Sequence, residues 1–231
     1  MKVIGLLGGM SWESTQTYYR LLNQAVREQL GGLHSARILL YSLDFDDIAR
    51  LQRSGDWDRA AEILCDAAQS LENAGADCLL IATNTMHKVA PEVAAGIRIP
   101  LLHIMDAAAD AVLASGLDCV GLLGTRFTMS ESFCRQRLEE KGIRVLVPGA
   151  TEQDLVHQVI FDELCLGVIR EASRRDFLTI IDGLRSQGAQ GIILGCTEIG
   201  LLVSPGDTSA PLFDTTELHV NRAVGFALEL S

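Results

Sequence analysis

Two segments of the chain end in side chains that could move a proton at a carbon atom. Each runs through a short apolar stretch, one into Thr83-Asn84-Thr85 and the other into Cys196-Thr197-Glu198. Cys196 follows Gly195 at a predicted strand end, where the next helix N-terminus would lower the thiol pKa and enrich the thiolate. The Thr83 hydroxyl, at the matching position, is too weakly acidic to act as a base unaided. If the two halves face each other, these two side chains would lie on opposite walls of one cleft, which suits chemistry on both faces of a small molecule.

Both side chains also have structural interpretations that the sequence leaves open. Cys196 could be a half-buried cysteine that only packs. Thr83 could be a strand-end hydroxyl that caps the next helix, by itself or through Asn84. The catalytic and the structural interpretations both predict a globular α/β protein. The surroundings of Cys196 and Thr83 must therefore decide between them.

Two further loops occupy matching positions after the first strand of each half. They are Gly8-Gly9-Met10-Ser11 and Gly124-Thr125-Arg126. Backbone N–H groups and small hydroxyls at a helix N-terminus form a natural site for a carboxylate. Four such loops in two matched pairs therefore favour a binding site for a small anionic molecule.

The elements that must position these loops follow from the hydrophobic pattern. Helical patterns are predicted over 60–74, 131–141, 171–187 and about 216–230. Short aliphatic runs between them are typical of buried parallel strands: Val3–Leu7, Arg37–Ser42, Cys78–Ala82, Leu101–Ile104, Cys119–Leu123, Arg144–Val147 and Gly191–Gly195. We therefore expect an α/β fold of two pseudo-symmetric domains, each a parallel sheet flanked by helices, with the active site in the cleft between them.

The domain boundaries are predicted from the breaks in this pattern. Ile99-Pro100 interrupts the chain before the second half begins, and 204–211 has the composition of a linker. The expected domains are residues 1–98 together with 209–231, and residues 99–208. The last helix would then return to the first domain.

Composition excludes several classes of function. The chain has 231 residues and a net charge of −11, which argues against partners such as nucleic acid or an anionic membrane surface. No apolar run is long enough to cross a bilayer, and no signal-peptide pattern precedes the first strand. The six cysteines are scattered, so we expect free thiols and a cytoplasmic location. The five histidines form no ligand-spaced pair and no dinucleotide fingerprint is present, so neither a metal nor an organic cofactor is expected.

The chain resembles the aspartate/glutamate racemase superfamily over essentially its full length. Gly5-Leu6-Leu7-Gly8-Gly9-Met10 is similar to the opening of the aspartate type, and Gly195-Cys196-Thr197-Glu198 is similar to its second catalytic strand end. The longer runs Gly8–Thr15 and Thr83–His87 resemble enterobacterial amino-acid racemases of broad specificity. The resemblance implies an amino-acid substrate, with aspartate and glutamate as first choices, and a homodimer.

The resemblance also implies roles for individual residues. Without a cofactor, Cys196 would deprotonate the L-enantiomer, and Thr83 would relay a proton to the opposite face, directly or through water. Met10 and Gln52 would line the site. The substrate carboxylate and ammonium would be held by Asn84, Thr85, Thr197 and Glu198. Some relatives have a basic side chain after the segment aligned with Asp162-Glu163-Leu164, where Cys165-Leu166-Gly167 stands here, which argues against strict aspartate specificity.

Two other functions remain open on the sequence. One is an arylmalonate-type decarboxylase, in which Cys196 would protonate an enediolate. The other is an amino-acid sensor that keeps the binding site but has lost turnover, an alternative suggested by Thr83 in place of a cysteine. Loss of turnover with retained binding in a Cys196 variant would separate an enzyme from a sensor.

Overall fold

The computed structural model describes residues 1–230 and contains two parallel β-sheets. The first has the strand order β2-β1-β3, formed by β1 (Ile4–Gly8), β2 (Ile38–Ser42) and β3 (Cys78–Ile81). The second has the order β5-β4-β6-β7, formed by β4 (Cys119–Gly124), β5 (Arg144–Leu146), β6 (Gly191–Gly195) and β7 (Leu212–Asp214). Every strand pair is parallel, which confirms the predicted α/β fold.

Eleven helices lie between and after the strands of the described chain. Several begin at a side chain that caps them, as Ser11, Asp44 and Asp56 do for the first three. In chain order they are α1 (Trp12–Leu30), α2 (Phe45–Ser54), α3 (Trp57–Asn73), α4 (Ala90–Ala95), α5 (Ile104–Ala114), α6 (Arg126–Ser130), α7 (Ser132–Glu139), α8 (Ala150–Asp162), α9 (Glu171–Ser186), α10 (Ile199–Leu202) and α11 (Thr215–Leu228). Two 3₁₀ turns, Thr85–Val89 and Leu164–Leu166, follow β3 and α8.

Strands β1 and β3 of the first sheet are buried on both faces. Leu7 of β1 packs into an apolar cluster with α3, whereas Ile4 and Leu6 pack into a second cluster with α1 and α11. Because successive side chains of a strand point to opposite faces, burial on both faces requires an unbroken apolar run. This is why the central strands were recognisable in the sequence. The second sheet packs into a third cluster, which includes Phe177 of α9 and Cys196.

The chain divides into two compact units. One comprises Met1–Ile104 and the chain from His219 onward, and the other comprises Met105–Leu218. The sequence had suggested divisions at residues 98/99 and 208/209. Leu101 forms a β-bridge to Leu79, and Leu102 is buried in the α1–α11 cluster, so both belong with the first unit. No helix within residues 1–230 is both long and apolar enough to span a membrane.

One predicted element differs in the structure, and one strand of the structure was not predicted. A strand over Leu101–Ile104 was wrong beyond its first residue, because only Leu101 bridges to the sheet and Ile104 already begins α5. Strand β7 was missed. It has only three residues, and Asp214 ends it by accepting the backbone N–H of Thr216 at the start of α11.

Candidate active site

The loop after β1 is shaped by two glycines and Thr15. A Cβ on Gly8 would lie 2.6 Å from Thr15 Oγ1, so only glycine fits there. Gly9 has φ of +87° and donates its N–H to Thr15 Oγ1 at 2.8 Å. Ser11 accepts the N–H of Ser14 and caps α1. One N–H of the predicted carboxylate site is therefore already used to hold the loop on α1.

The loop after β3 carries the first set of predicted site residues. Thr83 is half-buried, while Asn84 and Thr85 are buried where the 3₁₀ turn begins. Asn84 makes no side-chain capping hydrogen bond to this turn. The structure thus gives no support to the interpretation of this loop as a helix cap formed through Asn84.

A histidine that the sequence analysis did not select fixes the backbone of Thr83. His87 Nε2 lies 3.2 Å from the backbone nitrogen of Ile104, and a backbone N–H can only donate, so Nε2 is the acceptor. In the neutral ring Nδ1 then carries the proton, and it donates to the Thr83 carbonyl at 2.8 Å. The four-residue spacing between Thr83 and His87 was the available signal, but the sequence analysis considered His87 only as a possible metal ligand.

Met10 and Gln52 are both buried in the first unit, and both lie near Met86. Met10 belongs to the apolar cluster of α3, together with Met86. Gln52, on α2, places its amide nitrogen 3.1 Å from the sulfur of Met86. Their proposed role in lining the substrate site stays a prediction.

The turn after β6 brings the second set together. Gly195 is tightly enclosed, since a Cβ there would lie 2.9 Å from the carbonyl oxygen of Leu123 on β4. Cys196, Thr197 and Glu198 follow, all buried. Cys196 donates its thiol hydrogen to Glu198 Oε2 at 3.0 Å. The structure therefore pairs Cys196, which the sequence analysis expects to be catalytic, with Glu198, which it expects to bind substrate.

The predicted lowering of the Cys196 pKa is wrong for the protein without substrate. Burial raises the pKa of this thiol well above its ordinary value, and the negative charge of Glu198 together with the hydrogen bond it accepts raises it further. The helix that follows is α10, which has only four residues, so its N-terminus offers little compensating potential. At neutral pH Cys196 is therefore a protonated thiol whose hydrogen points to Glu198 Oε2.

Two other acidic groups lie in the surroundings of this turn. Cys165, from the 3₁₀ turn after α8, packs against the same apolar cluster as Cys196, and its charge would raise the Cys196 pKa further. Asp214 pairs with Leu194 of β6, and burial raises the pKa of its carboxyl to about 6. The sequence analysis did not identify Asp214, because it did not predict β7, which Asp214 ends. In the described part of the chain, no three His, Cys, Asp or Glu side chains form a possible metal site.

Comparison with known proteins gives a consistent assignment. The family model described as Asp/Glu/hydantoin racemase matches residues 7–223. A crystal structure from Yersinia pestis, provisionally assigned as an Asp/Glu racemase, is 54% identical, with a TM-score of 0.93 over 99% of this chain and 100% of that one. An aspartate racemase homologue from Pyrococcus horikoshii OT3 is 36% identical, with a TM-score of 0.88 over the same shares.

A named bacterial racemase is also similar to this chain over most of its length. The broad-specificity amino-acid racemase RacX of Bacillus subtilis is 23% identical over 222 residues, which are 93% of each chain. The family model covers far more than half of the sequence, and both strand ends with candidate catalytic residues lie within it. The chain therefore belongs to the Asp/Glu/hydantoin racemase family, and its enzyme class is that of an amino-acid racemase.

Proposed function

We propose that this protein interconverts L- and D-amino acids without a cofactor, with aspartate and glutamate as first-choice substrates. The observation that carries the proposal is the buried hydrogen bond from Cys196 to Glu198. Racemisation needs a base strong enough to remove a proton from carbon. A thiolate released inside a dry site meets that need, because burial raises its proton affinity.

The carboxylate of Glu198 gives the thiol proton a place to go. Transfer of that proton from Sγ to Oε2 leaves a thiolate and a neutral carboxylic acid, so the net charge of the buried pair does not change. The thiolate then removes the α-proton of the L-enantiomer, and the electron pair remains on the substrate as an enolate. Cys196 is again a thiol after this step.

The opposite face is then protonated from the Thr83 side. The Thr83 hydroxyl, or a water that it holds, donates a proton to Cα and gives the D-enantiomer. The alkoxide or hydroxide left on that side takes a proton from solvent, and the proton on Glu198 returns to solvent, so both groups regain their starting charge. The hydroxyl is a poor acid, so this step is expected to be the slower of the two. Asn84, Thr85 and Thr197 would hold the substrate carboxylate, and Glu198 would also face the ammonium group.

The similar proteins support the choice of substrates. The matching family is described by aspartate, glutamate and hydantoin, and the B. subtilis relative is named for broad specificity. Cys165-Leu166-Gly167 brings no basic side chain next to the Cys196 cluster, where it could have selected a second carboxylate. We therefore propose that acidic amino acids are turned over and that other side chains are also accepted.

A pair of alanine variants tests this proposal. Cys196→Ala should lower racemisation of L- and D-glutamate by at least about a thousandfold, because it removes the base. Cys134→Ala removes another fully buried thiol of the same unit, on α7, and should leave the rate nearly unchanged. Chiral chromatography of the products measures both rates, and calorimetry measures amino-acid binding.

The outcomes separate the possible functions. Lost turnover with retained binding in Cys196→Ala supports the racemase. Binding without turnover in the wild-type protein would instead indicate a sensor. Release of carbon dioxide from an arylmalonate, with no change in any amino acid, would indicate a decarboxylase.

A further inference from the structure

A second cysteine lies in the surroundings of Cys196. Cys165 belongs to the 3₁₀ turn Leu164–Leu166, and this turn contacts α10, the helix that follows the Cys196 turn. Cys196 is part of an apolar cluster, and Cys165 packs against that cluster. After burial and Glu198, the charge of Cys165 is a further cause that raises the pKa of Cys196, so the two sulfur atoms lie within electrostatic reach of each other. Both are thiols in the structure, since neither takes part in a disulfide.

The other four cysteines are placed differently. Cys78, Cys119 and Cys134 are buried, the first two in strands and the third in α7. Cys65 is half-buried, but it lies on α3 in the first unit. Of the six cysteines, all within residues 1–230, only Cys165 is both partly exposed and in the same unit as the candidate base.

The turn that carries Cys165 is fixed at its beginning and exposed beyond it. Glu163 accepts the hydroxyl hydrogen of Ser173 at 2.6 Å and pairs with Arg170 at 3.2 Å. The backbone carbonyl of Glu163 also accepts the N–H of Leu166, whose side chain is 71% exposed. Because a 3₁₀ turn this short has few internal hydrogen bonds, Cys165 can approach a neighbouring sulfur atom with little disruption of the fold.

A hydroperoxide would oxidise this pair of thiols in two steps. When Glu198 takes the proton of Cys196, the thiolate can attack the O–O bond of the peroxide. The new S–O bond makes a sulfenic acid, and the leaving hydroxide takes the proton from Glu198 to become water. The Cys165 sulfur then attacks this sulfenic acid, so that an S–S bond replaces the S–O bond, and the Cys165 proton leaves with the hydroxide as a second water. Two thiols are oxidised to one disulfide, while one peroxide is reduced to water.

We propose that Cys165 and Cys196 form a reversible disulfide when a hydroperoxide oxidises the protein, and that this bond switches the enzyme off. The loss of activity rests on the proposed role of Cys196 as the base, whereas formation of the bond does not. In the disulfide Cys196 has no thiolate to offer, so it cannot remove the α-proton of a substrate. The bond also protects Cys196 from further oxidation to a sulfinic acid, which thiol reductants do not reverse.

Peroxide treatment followed by reduction tests this proposal. The reduced protein is exposed to hydrogen peroxide, catalase removes the peroxide, and glutamate racemisation is measured before and after addition of dithiothreitol. Each variant is compared with its own activity before treatment. Mass spectrometry of peptides identifies the oxidation state of every cysteine. Cys165→Ser and Cys165→Ala remove the second thiol, and Cys65→Ser, at the other half-buried cysteine, is the matched control.

The wild-type protein and Cys65→Ser should lose activity by at least about tenfold and should recover it with dithiothreitol. Their peptide maps should contain a cross-linked pair that joins Cys165 to Cys196. Both Cys165 variants should also lose activity, but they should not recover it, because Cys196 then proceeds to a sulfinic acid.

The peptide map is measured on the protein itself, so it does not depend on the choice of substrate. A wild-type protein in which peroxide treatment gives no cross-link between Cys165 and Cys196 would overturn the proposal. So would recovery of both Cys165 variants to the same extent as wild type. A cross-link in a protein that racemises no amino acid would support the disulfide and would contradict the proposed function instead.

Discussion

The thiol of Cys196 is not distinguished from the other cysteines by a low pKa. Burial raises the pKa of Cys78 to about 12, and it also raises the pKa of Cys134 and of Cys196. What distinguishes Cys196 is its hydrogen bond to the carboxylate of Glu198, which can accept the proton. Without such an acceptor a thiol with a raised pKa stays protonated, so the proposed mechanism assigns the base to the pair and not to Cys196 alone.

At the same scale, His87 is expected to act as a positioning residue for Thr83. His87→Leu removes the donor to the Thr83 carbonyl and the acceptor for the Ile104 N–H. His87→Asn restores a donor near the position of Nδ1. The leucine variant should slow α-proton exchange from D-glutamate about tenfold more than from L-glutamate, because only the Thr83 side is disturbed.

The asparagine variant should return the ratio of the two exchange rates toward the wild-type value. Proton NMR in deuterated buffer measures both rates on the same sample. A purely structural role for His87 predicts that both rates fall together in His87→Leu. Equal losses on the two enantiomers would therefore contradict positioning of Thr83.

At the scale of elements, β6 must approach β4 closely for Cys196 to be placed. Gly195→Ala puts a methyl group against the carbonyl oxygen of Leu123, which cannot move aside as a side chain can. It should lower the free energy of unfolding by about 1–3 kcal/mol and also reduce turnover. Gly183→Ala is the control, because α9 leaves open space there and alanine favours a helix. It should raise stability by about 0.5–1 kcal/mol.

Urea unfolding and initial rates measure both effects of these substitutions. The explanation would be contradicted if Gly195→Ala kept full activity at wild-type stability. A loss of activity in Gly183→Ala would show that the assay responds to any substitution in this unit.

The sequence predicted elements well where burial leaves a periodic pattern. β6 was found at its observed bounds, because both of its faces are buried and its residues read as one apolar run. Leu101–Ile104 is also apolar, but an apolar run of four fits a strand or the start of a buried helix equally well. β7 is too short to show a period, so its last residue, Asp214, was not identified either.

The candidate site was predicted as a set of residues but not as a set of contacts. The two strand ends were identified from small polar residues after apolar strands. The raised pKa of Cys196 could not be foreseen, because it depends on burial and on the four-residue length of α10. The bond between His87 and Thr83 likewise depends on a 3₁₀ turn that no sequence pattern marked.

At the scale of the whole molecule, the chain re-enters the first unit at His219, which is fully buried. Its Nε2–H donates to the Leu102 carbonyl, and its Nδ1 accepts from the Tyr18 hydroxyl. Burial lowers the pKa of His219 to about 4. The unfolded chain, with an ordinary pKa of about 6.5, then binds a proton that the folded protein does not. This contribution to stability is present above pH about 6.5 and is lost as the pH falls toward 4, by up to about 3 kcal/mol.

The variant His219→Gln isolates this effect from others in the same pH range. Asp214 acts in the opposite direction, because its raised pKa stabilises the protein below pH about 4 and that stability is lost as the pH rises through about 6. The stability difference between wild type and His219→Gln cancels the Asp214 contribution. The difference in free energy of unfolding between wild type and His219→Gln should be largest at pH 7.5 and should shrink as the pH falls to 4.5. A difference that urea unfolding finds constant over this range would contradict the assignment.

The overall reaction sets a limit on any asymmetry between Cys196 and Thr83. Enantiomers have equal free energy, so a racemase must have the same kcat/KM in both directions. Unequal proton donors therefore cannot favour one product at equilibrium. They can only make one enantiomer exchange its α-proton with solvent faster than it inverts.

Proton NMR in deuterated buffer, on L- and D-glutamate separately and with chiral analysis of the products, is the most direct test of this mechanism. The mechanism predicts that L-glutamate loses its α-proton signal before D-glutamate accumulates, because Cys196 removes the proton readily and the Thr83 side returns one slowly. Exchange from L-glutamate strictly in step with inversion would show that Thr83 is as competent as Cys196. No exchange from either enantiomer, or from aspartate, would contradict the proposed activity on acidic amino acids.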